Sequence, residues 1–173
     1  MLTILIGGSG SGKSAYGEML AAKTPGSRYY IAAMRPYGEE SLARIRRHRE
    51  QRAHLRFETI DRYTDVGGLQ LPRGGAVLLE CLCNLTANEM FDEGGAGDGT
   101  VEAVVTGVDA LHKQAEHLIV ITNDVGSDGV TYGEGTVRYM LALGKINALL
   151  AKQANHVAEL VSGIPLWLKG GNL

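Results

Sequence analysis

The stretch "LTILIGGSGSGKSAYGEMLAAK" (2–23) leaves the chain little freedom in how it begins to fold. Residues 2–6 are a short apolar run closed by two glycines, the pattern of a strand buried on both faces. Ala15, Leu20, Ala21 and Ala22 then suit one apolar face of a helix. Between them, Gly7, Gly8, Ser9, Gly10, Ser11, Gly12, Lys13 and Ser14 fit the pattern G-x-x-x-x-G-K-[ST]. Glycines let successive backbone N–H groups turn toward a single anion, and the helix that follows presents its positive end to the same anion. Lys13 can reach β- and γ-phosphates, and the Ser14 hydroxyl can ligate Mg²⁺. A flexible Gly/Ser linker would not sit between a buried strand and a helix, nor end in Lys-Ser. The stretch is read as strand, nucleotide-phosphate loop and helix.

The rest of the chain alternates strands with helices. Strands are expected at 27–34, 56–61, 74–80, 117–124, 156–163 and 164–169, and helices at 38–55, 83–91, 100–115 and 136–154. That alternation predicts an α/β fold with a mainly parallel sheet flanked by helices, in a single domain spanning 1–173. Ligands of such sheets bind beyond the carboxyl ends of the strands. The rule gathers loop 7–14, Met34, Glu80 and Asp124 at one edge. The stretch 125–135 is glycine-rich and long for a strand–helix connection, as loops that carry function often are.

Composition narrows the classes. A net charge of −2 gives no basic field for nucleic acid. No charged leader or long apolar stretch precedes the first strand, so a cytoplasmic protein without a membrane anchor is expected. Cys81 and Cys83 are too close for an ordinary disulfide and lack partners for a zinc site, so they read as reduced thiols.

A phosphate loop that works with Mg²⁺ needs an acid at the end of another buried strand, and both Glu80 and Asp124 qualify. "RIRRHREQR" (44–52) crowds five arginines and His48 into one helix, with Arg44, His48 and Arg52 four apart. Such a run is usually a solvated face, yet it would be eased by a nearby anion. An imidazole among cations also keeps its lone pair available for attack. The remaining histidines, His54, His112, His117 and His156, have no such setting and read as structural or surface groups. The phosphate loop by itself is open to a plain small-molecule kinase or a non-catalytic nucleotide binder, with His48 as one more group on a basic helix.

Taken in order, "GGSGSGKS", "YIA" (30–32), "RIRRHREQR", "LLEC" (78–81), Asn88, "ITNDVG" (121–126), "GKIN" (144–147) and "VSGIPLWLK" (161–169) resemble one family over nearly the whole chain. It is the bifunctional adenosylcobinamide kinase / adenosylcobinamide-phosphate guanylyltransferase family of cobalamin biosynthesis. The resemblance implies a RecA-like nucleotide-binding fold, ATP and GTP as substrates with Mg²⁺, a corrinoid as acceptor, and a trimeric assembly. It further implies that His48 is the guanylylated residue. Nucleotide contacts would fall on loop 7–14, on Ala32, Ala33 and Met34, on Arg49, Glu50, Gln51 and Arg52, on Asp61, and on Glu80. Asp61 stands where the family usually has a glutamate. Ala33 and Met34 depart from its Y-I-A-T, and "YML" (139–141) stands where it usually carries an Arg-Asp pair.

Overall fold

The structure is a computed structural model that describes residues 1–72, 74–126 and 129–171, with the side chains of Glu40, Ser41, Arg44, Arg47, His48 and Gln51 outside the described set. The first five strands are all parallel: β1 (Leu2–Ile6), β2 (Arg28–Ala32), β3 (Glu58–Asp61), β4 (Ala76–Glu80) and β5 (His117–Ile121). β6 (His156–Val161) joins β1 in parallel, and β7 (Ile164–Lys169) closes the edge as an antiparallel hairpin partner of β6. The order across the sheet is β3-β2-β4-β5-β1-β6-β7.

The helices are α1 (Lys13–Lys23), α2 (Gly38–Arg52), α3 (Leu82–Phe91), α4 (Thr100–Gln114) and α5 (Glu134–Gln153). The two-residue period of the strands divides the core. Leu2, Ile4, Ile31, Val77, Leu79, Leu118 and Val120 lie in one cluster with residues of α3, α4 and α5. Leu5, Tyr30, Leu78, Ile119 and Ile121 lie in the other with Leu20 and Ala21 of α1. By the same alternation Glu80 continues the α1 face of β4 past Leu78, and Ala32 continues that of β2 past Tyr30.

The expected elements are all present, most with shorter ends, while the third and fifth helices start earlier, at Leu82 and Glu134. The 38–55 helix is α over Gly38–Arg52 and tightens to a 3₁₀ turn at Ala53–Leu55. The 27–34 strand stops at Ala32 and the 117–124 strand at Ile121, where the chain turns off the sheet to form the site edge. The 74–80 strand starts at Ala76, because Gly74 and Gly75 both have positive φ and the Gly75 backbone crowds Ser27 too closely for any side chain. The fifth helix begins at Glu134, inside the loop expected over 125–135. Residues 127 and 128 of that loop lie outside the described residues. Among the described residues no helix is long and apolar enough to cross a membrane.

Candidate active site

Loop 7–14 turns out of β1 and into α1 with its glycines in the geometry the pattern demands. Gly12 caps α1 in the left-handed region at φ 92° and, as a glycine, offers no side-chain cap to the first N–H groups of that helix. A Cβ on Gly7 would meet the Leu160 carbonyl oxygen at 2.6 Å. The β6–β7 turn supports the loop from behind, with Gly163 N–H donating to the Ser11 carbonyl at 2.9 Å. Gly8, Ser9 and Gly10 form an exposed crest.

Lys13 is buried beneath that crest. Its ammonium donates to the Gly7 carbonyl at 2.8 Å, the Gly8 carbonyl at 2.6 Å and the Ser11 hydroxyl at 3.4 Å. The cation is thus held by the loop whose phosphate it would meet. Ser14, at the start of α1, donates from Oγ to Oε1 of Glu80 at 2.8 Å. Of the two acids that sequence spacing offered, Glu80 is therefore the one beside Ser14, while Asp124 is exposed beyond the end of β5. A serine hydroxyl and a carboxylate converging in this way are hard oxygen donors, the set that suits Mg²⁺.

The other oxygen of Glu80 accepts from the Tyr30 hydroxyl at 2.5 Å. Burial first, and the Glu80 charge second, push the Tyr30 phenol far above its ordinary value, so the phenol keeps its proton and remains a donor. The Arg52 guanidinium lies 3.6 Å above the Tyr30 ring and donates to Thr59 Oγ1 at 3.3 Å. Arg52 is only 4% exposed. A desolvated cation over an aromatic face contributes about 2 kcal/mol. So Arg52 does not lie on a solvated face of α2: it anchors the last turn of that helix to β2. Glu18, one turn past Ser14 on α1, completes the group. Burial and the Glu80 charge raise its carboxyl to about 7, with Arg52 pulling the other way.

A pocket opens next to this cluster, under α2 and over the ends of β2, β3 and β4. Tyr30, Ala32, Met34, Asp61 and Glu80 form its floor, Cys81 and Asn84 one end, and Ile45, Arg49 and Arg52 its roof. Arg49 spans the mouth to Asp61, with N–O distances of 3.3 and 3.2 Å. Six of the residues expected around nucleotide are thus brought together: Ala32, Met34, Arg49, Arg52, Asp61 and Glu80. Ala33 is not among them. It is fully buried in the α3–α5 core, its carbonyl held by Asn88 Nδ2 at 2.8 Å, which also donates to the Tyr63 carbonyl at 2.9 Å. Glu50 is exposed on α2. The side chains of His48 and Gln51 lie outside the described residues, and only their place on α2 is fixed. Tyr30, Ile45, Glu18 and Asn84 escaped the reading of the sequence as a site. The one signal for Tyr30 was its place two residues before the end of β2, facing the same side as Glu80.

Both cysteines are free thiols. Cys83 Sγ accepts from the Asn123 N–H at 3.3 Å and Thr122 donates to Asn147 at 2.9 Å, which ties the turn after β5 to α3 and α5.

A family model described as cobinamide kinase / cobinamide phosphate guanyltransferase matches residues 3–168. Three curated relatives carry matching names. The bifunctional adenosylcobalamin biosynthesis protein CobU of Escherichia coli K12 is 28% identical, over 98% of this chain and all of its own length. The protein of that name from Salmonella typhimurium LT2 is 29% identical with the same coverage. The bifunctional adenosylcobalamin biosynthesis protein CobP of Pseudomonas aeruginosa PAO1 is 30% identical over 98% of each chain.

Proposed function

The chain belongs to the cobinamide kinase / cobinamide phosphate guanyltransferase family, and on that premise we propose that it runs both reactions on one corrinoid. In the first, a hydroxyl of adenosylcobinamide takes the γ-phosphoryl group of ATP or GTP. In the second, an imidazole nitrogen of His48 attacks the α-phosphorus of GTP, the bond to the β-phosphate oxygen breaks, and pyrophosphate leaves. The GMP then passes from His48 to adenosylcobinamide phosphate, giving adenosylcobinamide-GDP and restoring the imidazole.

The observation that carries the reading is the Ser14–Glu80 contact at 2.8 Å, lying between loop 7–14 and the pocket beneath the helix of His48. Loop N–H groups and the open start of α1 hold phosphate oxygens, and Lys13 exchanges loop carbonyls for them. Ser14 and Glu80 hold Mg²⁺, which neutralises charge on the phosphates when bound. Asp61 and Arg49 at the pocket mouth suit a guanine edge and a phosphate respectively. A further element of the proposal is assembly as a trimer in the cytoplasm. Self-association is supported by the exposed apolar row Val161, Ile164, Leu166 and Leu168 along the edge hairpin, which a monomer would leave in water, and the trimer and the cytoplasm follow from the family resemblance.

The test is incubation with Mg²⁺ and α-labelled GTP. Acid-labile, base-stable label is expected on the wild type and not on His48→Asn, which keeps phosphorylating adenosylcobinamide. Phosphorylation without label on the wild type would leave a plain kinase, and GTP binding with neither activity would leave a nucleotide binder.

A further inference from the structure

We infer that Tyr30 is a positioning residue, through which the phosphate loop sets the placement of the helix that carries His48. The inference rests on the reading of His48 given above for its chemistry, and on geometry alone for the coupling.

The connection is continuous. Ser14, in the first turn of α1, donates to one oxygen of Glu80; Tyr30 donates to the other at 2.5 Å. The ring of Tyr30 carries the Arg52 guanidinium at 3.6 Å. Arg52 stands in the last turn of α2, four residues after His48. Four elements distant in sequence are therefore joined through four side chains, and Tyr30 is the link that faces both ways, with its hydroxyl to Glu80 and its ring to Arg52. Tyr30 and Arg52 are each 4% exposed, so neither end of the link is loosened by water.

Among the described residues of α2, Arg52 alone is buried. Arg49 pairs with Asp61 across half-exposed side chains, and the mean hydropathy of the helix is strongly polar, so it has little apolar surface with which to hold itself on the sheet. A buried anchor carries the turn of helix it stands in with it when its partner shifts. A change at Ser14 and Glu80 when phosphates enter the loop moves the Tyr30 hydroxyl, the ring beneath Arg52, and with it the register of α2 over the pocket. The phenol is then more than core packing: it makes the guanylylation step sensitive to whether the phosphate loop is filled.

Tyr30→Phe separates the two halves of the link, because it keeps the ring under Arg52 and removes the hydroxyl. Hydrogen–deuterium exchange of α2 is read with and without GDP, which fills the loop without supplying a transferable GMP. The wild type is expected to slow exchange across 44–52 on GDP addition. Tyr30→Phe, with GDP raised until it is saturating for each protein, is expected to lose most of that protection. At saturating GTP its rate of label incorporation falls about tenfold, with a smaller change in the GTP concentration needed for half the rate. Arg52→Lys, which keeps the charge and loses the planar stack, gives the same pattern. Wild-type protection and labelling rates in Tyr30→Phe would overturn the inference. A wild type that takes no label, yet whose α2 responds to GDP through Tyr30, keeps the coupling and overturns the guanylylation reading instead.

Discussion

The Ser14 hydroxyl reaches Glu80 across 2.8 Å, although 66 residues separate them in the chain. The contact joins the start of α1 to the tip of β4 and passes over the end of β5, which lies between β1 and β4 in the sheet. Parallel pairing brings the carboxyl ends of all these strands to one edge, so an acid at the last position of β4 meets a serine in the first turn after β1.

Glu80→Gln keeps the shape of that contact and removes its charge. The Mg²⁺ concentration giving half-maximal phosphorylation is expected to rise at least tenfold, roughly the scale seen when groups supporting a metal are altered. Tyr30 would lose a charged acceptor, so stability should fall by about 1 kcal/mol. A magnesium titration of turnover and a urea melt read the two effects. An unchanged Mg²⁺ dependence would move the metal to another acid, with exposed Asp124 the next to try.

Of the two glycines that open the loop, only the first should resist alanine. At Gly7 the new methyl would sit 2.6 Å from the Leu160 carbonyl and 2.9 Å from Ser11 Oγ. Overpacking against backbone costs about 1–3 kcal/mol, and here the strain falls on the loop itself. At Gly8 nothing lies within 4 Å of the added atom. Gly7→Ala should therefore lower the melting temperature and weaken GTP binding, while Gly8→Ala leaves the melting temperature in place. Equal melting temperatures for the two variants would refute the packing argument.

How much of this was legible follows from the range of each interaction. The loop and Lys13 were readable because their geometry is local: glycine torsions and one lysine reach carry it. Glu80 was readable as an acid closing an apolar run, but the choice against Asp124 needed the sheet order. Arg52 was misleading in sequence. Its neighbours in "RIRRHREQR" suggest a cationic face, whereas its guanidinium is buried on an aromatic ring from another strand. That pairing is a tertiary event with no periodic signature. Ala33 shows the reverse case: strand alternation alone puts it with Tyr29 and Ile31, away from Tyr30 and Ala32, and the structure buries it there.

Asp61 offers two acceptor oxygens at the mouth of the pocket, now paired with Arg49. The Watson–Crick edge of guanine presents N–H donors at N1 and N2, while adenine presents an acceptor at N1. A carboxylate there should favour guanine, since a hydrogen bond to a charged group is worth about 1.5–3 kcal/mol. Asp61→Asn is expected to weaken GTP binding by roughly ten- to a hundredfold on that scale, with ATP affected less. Competition binding with the two nucleotides decides it, and an equal loss for both would mean that Asp61 only holds Arg49.

At the other end of the sheet, His117 supplies a pH dependence that belongs to the fold and not to the site. It is 3% exposed, with Nε2 bonded to Thr3 Oγ1 at 2.8 Å and Nδ1 near Thr24 Oγ1 at 3.3 Å. Two hydroxyl partners satisfy a neutral imidazole. Burial first, then the N-terminal ammonium and His156, lower its pKa from 6.5 to about 4. Between those values the unfolded chain binds a proton that the folded chain refuses. Stability from this group is therefore complete above about pH 6.5 and drains away as the pH falls toward 4, by up to about 3 kcal/mol. Urea melts at intervals from pH 7 to pH 4 should show that decline. His117→Asn should lower stability at pH 7 and flatten the slope across the same window. A slope as steep as that of the wild type would assign the acid sensitivity to other groups.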